Sequence, residues 1–274
     1  MTTAHVPTLR VKAIRLRGRS ATALLAVSLV GFAAFAWPLL VHHSHGSPDL
    51  AHSSDAPWLL GLMLPLLLGV LMAEISEGGI DAKALAMLGI LAACGAALRP
   101  FAVGATGFSL VFFLLIPAGR VLGRGFGFVL GALTLFASAL LTAGVGPWLP
   151  FQMLGAAWVG FFAGCLPQRV HGRAEVMMLA VYGAIAGLAY GLLLNLWFWP
   201  FASTGTTTGY VPGAAIIDNL HRFLIYDLTT SLGFDVPRAL GNFILVIVAG
   251  PAVLRALRRA ARRAAFDAPV EFAS

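Results

Sequence analysis

The sequence predicts an all-α polytopic membrane protein, and three observations carry that expectation. Hydrophobic residues make up 59% of the 274-residue chain and charged residues 11%, and the mean hydropathy is +0.89. A soluble domain carries about 25% charged residues, so this chain cannot cover a water-facing surface and its solvent is mostly lipid. The apolar residues fall in runs near the ~20 residues that a helix needs to cross a bilayer. Alternating barrel strands are absent, and helices satisfy their own backbone groups in lipid. Threaded as eight spans, the chain puts fifteen of its eighteen Lys and Arg residues on one side. That asymmetry marks the side as cytoplasmic.

Residues 1–20 form a basic cytoplasmic N-terminus with Arg10, Lys12, Arg15, Arg17 and Arg19. The apolar run that follows is long and lacks a small-residue cleavage site, so it reads as a retained helix rather than a signal peptide. Spans are expected at 21–41, 58–73, 83–98, 101–119, 125–143, 149–166, 176–198 and 237–254. The first two occupy 21–73, ahead of a six-helix core over 80–257. The second is short, and Gly104 and Gly107 interrupt the fourth; burial among other helices tolerates both. Lys83, Arg120, Arg124, Arg169 and Arg173 fall between spans on the N-terminal side, and Arg99, Arg222 and Arg238 on the other. Both termini are therefore expected in the cytoplasm and the chain in the cell membrane. After the last span, Arg255–Arg263 reads as a basic, Ala-rich extension of that helix, a stop-transfer anchor or a strip lying on anionic lipid, with 258–274 as a cytoplasmic tail.

Several function classes are disfavoured. The formal charge is +7, but the basic residues flank apolar runs, which is membrane orientation rather than nucleic-acid binding. Cys94 and Cys165 lie inside apolar runs without metal-ligand spacing, so they read as packing residues. No Asp, Glu, Lys or Arg falls near the middle of a span, where ion-coupled carriers place their relay groups. There is no GxxxxGK[ST] loop, GxSxG elbow or HExxH helix. The chain reads as a non-enzyme without a cofactor or an energy source of its own.

Recognition chemistry gathers in the outer segments. Gly144–Gln152 is a Gly/Pro-shaped turn that offers Trp148, Phe151 and Gln152 as pocket-lining candidates. The long segment 199–236 follows an aromatic span end, Asn195–Pro200, with Trp199. It contains apolar residues at helical spacing around Asn219 and around Asp218, Arg222 and Asp227, three charges that keep it from spanning, so a re-entrant or interfacial lid is expected. Arg99 ends the third span; it reads as a snorkelling arginine or, with Arg222 and Arg238, as a clamp on a polar group. Ala82, Ala86, Gly89, Ala93 and Ala97 form a small-residue stripe along the third span, for internal packing or for docking a partner. His42, His43, His45 and His52, with Asp49 and Asp55, crowd the first outer loop; a solvated loop is the expected reading and a metal site the alternative.

Arg99-Pro100 through Phe112-Phe113-Leu114-Leu115, then Pro117–Gly123, Gly125–Gly131 and Gly146-Pro147-Trp148-Leu149-Pro150-Phe151-Gln152, resemble the substrate-binding (S) component of energy-coupling factor (ECF) transporters. The subgroup is similar to actinobacterial S components with two extra N-terminal spans, and the resemblance covers about 80–260. It implies a six-helix bundle that captures a vitamin from outside, with Arg99, Trp148, Phe151, Gln152, Asn195, Trp199, Asn219 and Arg222 as candidate substrate contacts. It also implies docking on a transmembrane coupling (T) protein driven by two ATPase subunits, a role that Ala82, Ala86, Gly89 and Ala93 match approximately. The subgroup points to cobalamin or a precursor, with thiamine-related and folate-like compounds as alternatives. The competing classes are a self-contained secondary carrier or channel and a membrane enzyme built on the outer histidines.

Overall fold

The structure, a computed structural model, describes residues 18–40, 69, 82–99, 110–202 and 207–264. Among these residues it is helical throughout, without strands. The helices are α1 (Gly18–Phe35), α2 (Trp37–Leu40), α3 (Ala82–Leu98), α4 (Val111–Leu122), α5 (Arg124–Leu141), α6 (Leu149–Cys165), α7 (Gly172–Ala202), α8 (Ile216–Thr230), α9 (Leu232–Val248) and α10 (Gly250–Ala264). The expected all-α membrane bundle is what forms. The expected span 58–73, the outer histidines and Asp49 and Asp55, the basic residues before Gly18 and the glycines of 101–109 lie outside the described residues.

Helix lengths differ from the eight expected spans. Among the described residues only α5 and α7 are long and apolar enough to cross a membrane alone; α8 and α9 pass together but meet at 68°. Helices α3, α4, α6 and residues 21–35 are shorter and apolar. A 17-residue helix is roughly 26 Å long, slightly less than the ~30 Å hydrocarbon core. The first expected span breaks at Ala36, before Pro38, whose ring and missing N–H oppose a continuous helix. The long outer segment is shorter than expected because α7 runs on to Ala202 and 216–230 is helical.

Glycines set the packing of α4, α5 and α6. A Cβ added to Gly119 or Gly127 would fall closer than 3.0 Å to the Gly160 carbonyl; on Gly131 it would strike Ala156, and on Gly160 it would strike Gly127. Backbones therefore touch without intervening side chains. In lipid, such packing holds helices together because tails are as apolar as leucine and provide no hydrophobic drive. Between α4 and α5 stands only Gly123, with φ 100°, a left-handed backbone that favours glycine. The sequence reading had stressed α3's small residues instead. Those are Ala82, Ala86, Gly89, Ala93 and Ala97, all exposed, while Ala84, Leu88, Ala92, Gly95 and Ala96 pack inward. Among the described residues the stripe does not serve internal packing.

One end of the bundle is basic. Arg120, expected between spans, lies inside α4 and is 4% exposed. Its Nε donates to Glu175 Oε1 at 2.7 Å, Nη1 to the Leu166 and Pro167 carbonyls, and Nη2 to the Val170 carbonyl. Glu175, at the start of α7, also accepts from Arg258 of α10 at 2.7 Å on both oxygens. Arg255–Arg263 is not an extension of the last span. It belongs to α10, which starts after the break at Ala249 and buries Leu254, Leu257 and Ala261. The expected tail residues 258–264 are thus helical and partly packed. Helix α1 packs on α6 and α7, with Trp158 Nε1 donating to Ser28 Oγ at 3.0 Å and Phe35 edge-on to Phe151.

Two stability predictions follow from this packing. Gly160→Ala should force α5 and α6 apart and lower the melting temperature of the detergent-solubilised chain, at a cost of about 1–3 kcal/mol or more. Gly89→Ala meets open space and should leave the melting temperature unchanged or slightly higher. Glu175→Ala strands the buried Arg120 and should cost about 3–5 kcal/mol. Scanning fluorimetry of the three variants beside the parent checks both; equal melting of Gly160→Ala and Gly89→Ala would rule out backbone contact at the seam.

Candidate functional site

The end opposite the basic cluster carries the polar groups that the bundle leaves available. Helix α3 stops at Leu98, where Pro100 disfavours further helix. Arg99 then reaches sideways. Its Nη2 donates to Gln152 Oε1 at 2.8 Å, and Nη1 makes a long contact of 3.5 Å with Ser138 Oγ. Gln152 sits in the first turn of α6, a turn that Pro150 begins, and Ser138 lies near the end of α5. Three helices thus meet through one guanidinium. It has five N–H donors, and these contacts use two.

Tyr190 of α7 lies deeper. A Cβ on Gly155 would crowd its ring, and Phe112 meets it edge-on at 4.8 Å. The Arg238 guanidinium is 5.7 Å from the ring centroid, within cation–π range. Arg238 Nη1 donates to Asp235 Oδ1 at 2.6 Å, one turn earlier on α9. Gly191 and Gly187 on α7 supply the space: a side chain on Gly191 would collide with the Asp235 carboxylate, and Gly187 lies against Ala239 and Asn242. Asn242 is fully buried there, with neither amide atom hydrogen-bonded among the described residues. A buried amide without partners costs on the order of 1–3 kcal/mol.

Helices α7, α8 and α9 form a corner at this end of the bundle. Asn195 Nδ2 donates to Asp227 Oδ1 at 2.7 Å and to Ser231 Oγ, tying α7 to the residue at which α8 bends into α9. Trp199 is fully buried; its Nε1 donates to the Thr208 carbonyl, and its ring packs on Tyr210 and Phe223. Asn219 grips Val211 twice, accepting from its N–H and donating to its carbonyl. Arg222 Nη1 donates to the Thr207 carbonyl at 2.7 Å. Burial pushes the Tyr210 hydroxyl above the ordinary phenol range, so it stays neutral. Segment 207–215 is thereby strapped to α8.

The sequence candidates fall in three places. Arg99 and Gln152 are joined directly. Asn195, Trp199, Asn219 and Arg222 lie together at the corner of α7, α8 and α9, where the last three hold the strap. Phe151 is fully buried, stacked on Trp197 at 4.4 Å, and packs the junction of α1, α6 and α7. Trp148 is exposed, folds over Gly146 and donates to the Gly144 carbonyl. Arg222 and Arg238 do not converge with Arg99 in a single clamp: each has its own partner. Sequence reasoning missed Ser138, Tyr190, Asp235 and Asn242. The available signal was Gly183-x-x-x-Gly187-x-x-x-Gly191, a row of small residues that makes room for large polar neighbours. Among the described residues no three His, Cys, Asp or Glu side chains gather to hold a metal.

Residues 83–250, more than half of the chain, match the family model described as ECF transporter, substrate-specific component. No curated protein and no solved structure matches the chain.

Asn219→Ala should free segment 207–215 without unfolding the bundle. Loss of the paired contacts to Val211 should speed hydrogen exchange at that amide by about tenfold, the equivalent of roughly 1.4 kcal/mol. Exchange mass spectrometry reads this against α5 as an internal standard, and unchanged exchange at 207–215 would refute the strap.

Proposed function

The chain belongs to the family of ECF transporter substrate-specific components, and from that premise we propose how its parts divide capture from transfer. It is a multi-pass membrane protein and the substrate-binding subunit of an ECF transporter, a kind of subunit that associates with coupling and ATPase subunits. We assign substrate capture to the end that carries Arg99, facing outward, with both termini in the cytoplasm. The segregation of Lys83, Arg120, Arg124, Arg173 and Arg258 to the other end supports this orientation.

The observation that carries the reading is the meeting of Arg99, Gln152 and Ser138 from three helices at the mouth of an otherwise apolar bundle. A few convergent polar groups on an apolar wall are the usual form of a small-molecule site. Tyr190, Arg238 and Asn242 extend it inward, and the strap under Trp199, Asn219 and Arg222 flanks its entrance. The substrate is a vitamin or related micronutrient; within that class we put forward cobalamin or a precursor, on the subgroup resemblance. Ala82, Ala86, Gly89 and Ala93 are proposed to seat the coupling protein. Their exposure supports this, because small residues turned outward let another helix approach closely.

Native mass spectrometry of the chain purified from a vitamin-replete host should release a stoichiometric small molecule and identify it. Arg99→Ala and Gln152→Ala should then weaken its binding by about tenfold or more, as expected for hydrogen bonds to a charged group. Ala86→Leu should retain binding and lose uptake when partner subunits are present. Transport by the chain alone in liposomes, driven by an ion gradient, would overturn the subunit reading.

A further inference from the structure

Helix α10 has two opposite faces. Leu254, Leu257 and Ala261 are buried against the bundle, chiefly α4. Arg255, Arg259 and Arg263 recur at steps of four on the other face, beside Ala252, Ala256 and Ala260 at the same step. Long side chains flanking short ones leave an open groove of about 570 Å³ lined by these six residues. At 100° per residue the centre of this groove lies nearly opposite the buried row.

Three tethers fix where the groove faces. Helix α10 leaves the end of α9 at Gly250; Arg258 bonds Glu175 at the start of α7; and the Ala264 carbonyl accepts from Lys83 Nζ at the start of α3, at 3.0 Å. It therefore lies across the basic end of the bundle instead of projecting from it. Beneath it is α4, the helix that contacts α3, α5, α6, α7 and α9. With this end cytoplasmic, as proposed above, a helix seated over the bundle's middle turns its outer face to the cytoplasm. Arg258 is neutralised by Glu175, whereas among the described residues no acidic side chain lines the groove.

We propose that this groove docks an acidic protein segment of the cytoplasm-facing transport machinery, with carboxylates that pair with Arg255, Arg259 and Arg263. Guanidinium and carboxylate match as two-pronged partners, and the alanine row admits a second helix close to the backbone. The choice of partner rests on the family reading above; the groove itself does not.

The full chain is co-purified with the coupling and ATPase subunits of its own host and compared with a variant carrying Arg255→Glu, Arg259→Glu and Arg263→Glu. Recovered complex should fall by on the order of tenfold or more, as for reversed charges at an interface, while the variant keeps its melting temperature and bound substrate. Separately, Arg259→Lys treated with a carbodiimide should yield an isopeptide bond to a partner Asp or Glu. Equal recovery of the triple variant, with no such cross-link, overturns the docking site and leaves the family reading intact. A wild-type chain that recovers no partner overturns both. Recovery of the wild-type complex that is lost on delipidation and restored by added phosphatidylglycerol, with no cross-link from Arg259→Lys, would assign the groove to lipid and overturn the proposal.

Discussion

Backbone contact through glycine is the constraint on which the rest of this bundle depends. Lipid does not push apolar helices together, so α4, α5 and α6 stay associated by fitting closely. Gly119, Gly127, Gly131 and Gly160 permit that fit and also fix register. With Gly160 held against Gly127, α6 cannot slide. Its first turn then delivers Gln152 to Arg99 at one end, and the residues after it deliver the Leu166, Pro167 and Val170 carbonyls to Arg120 at the other. Both functional ends inherit their geometry from contacts in which no side chain takes part.

The two ends treat the same residue type differently. Arg120 makes four hydrogen bonds among the described residues, using all but one of its five donors, and is sealed from solvent. Arg99 makes two among the described residues, one of them long, and is half-buried. Asn242 lies between the ends with both amide atoms open. Saturated groups hold a structure, and unsaturated ones in an apolar surround are poised to bind. That contrast, rather than the number of charges, distinguishes the two ends and supports the capture role proposed for the end that carries Arg99.

Much of this was legible in the sequence, for identifiable reasons. Composition and the runs of apolar residues gave the all-α membrane class, because a chain so poor in charge has few alternatives. Arg99 and Gln152 were found because each is a polar residue at the end of an apolar run, which local pattern exposes. Their pairing spans 53 residues and depends on register, which local pattern does not contain. Arg120 was read as a loop charge because a one-residue connection at Gly123 is invisible to hydropathy. Trp148 and Phe151, three apart, invited a common role; the first is exposed and the second sealed, since a turn precedes the helix between them. The break at Ala249 is marked in the sequence by Gly250-Pro251, a helix-breaking pair that the apolar residues on either side of it mask.

The Arg120–Glu175 pair also has a history within each molecule. Glu175 is made 55 residues after Arg120, and Arg258 83 residues after that. At about 5–20 residues per second, the guanidinium waits roughly 3–11 s for its first carboxylate and longer for the second cation to complete the cluster. Its place in the last turn of α4 lets it wait among headgroups instead of hydrocarbon. The charge that locks the finished bundle therefore meets its carbonyl partners Leu166, Pro167 and Val170 in the chain before its carboxylate, and the cluster closes only when α10 brings Arg258.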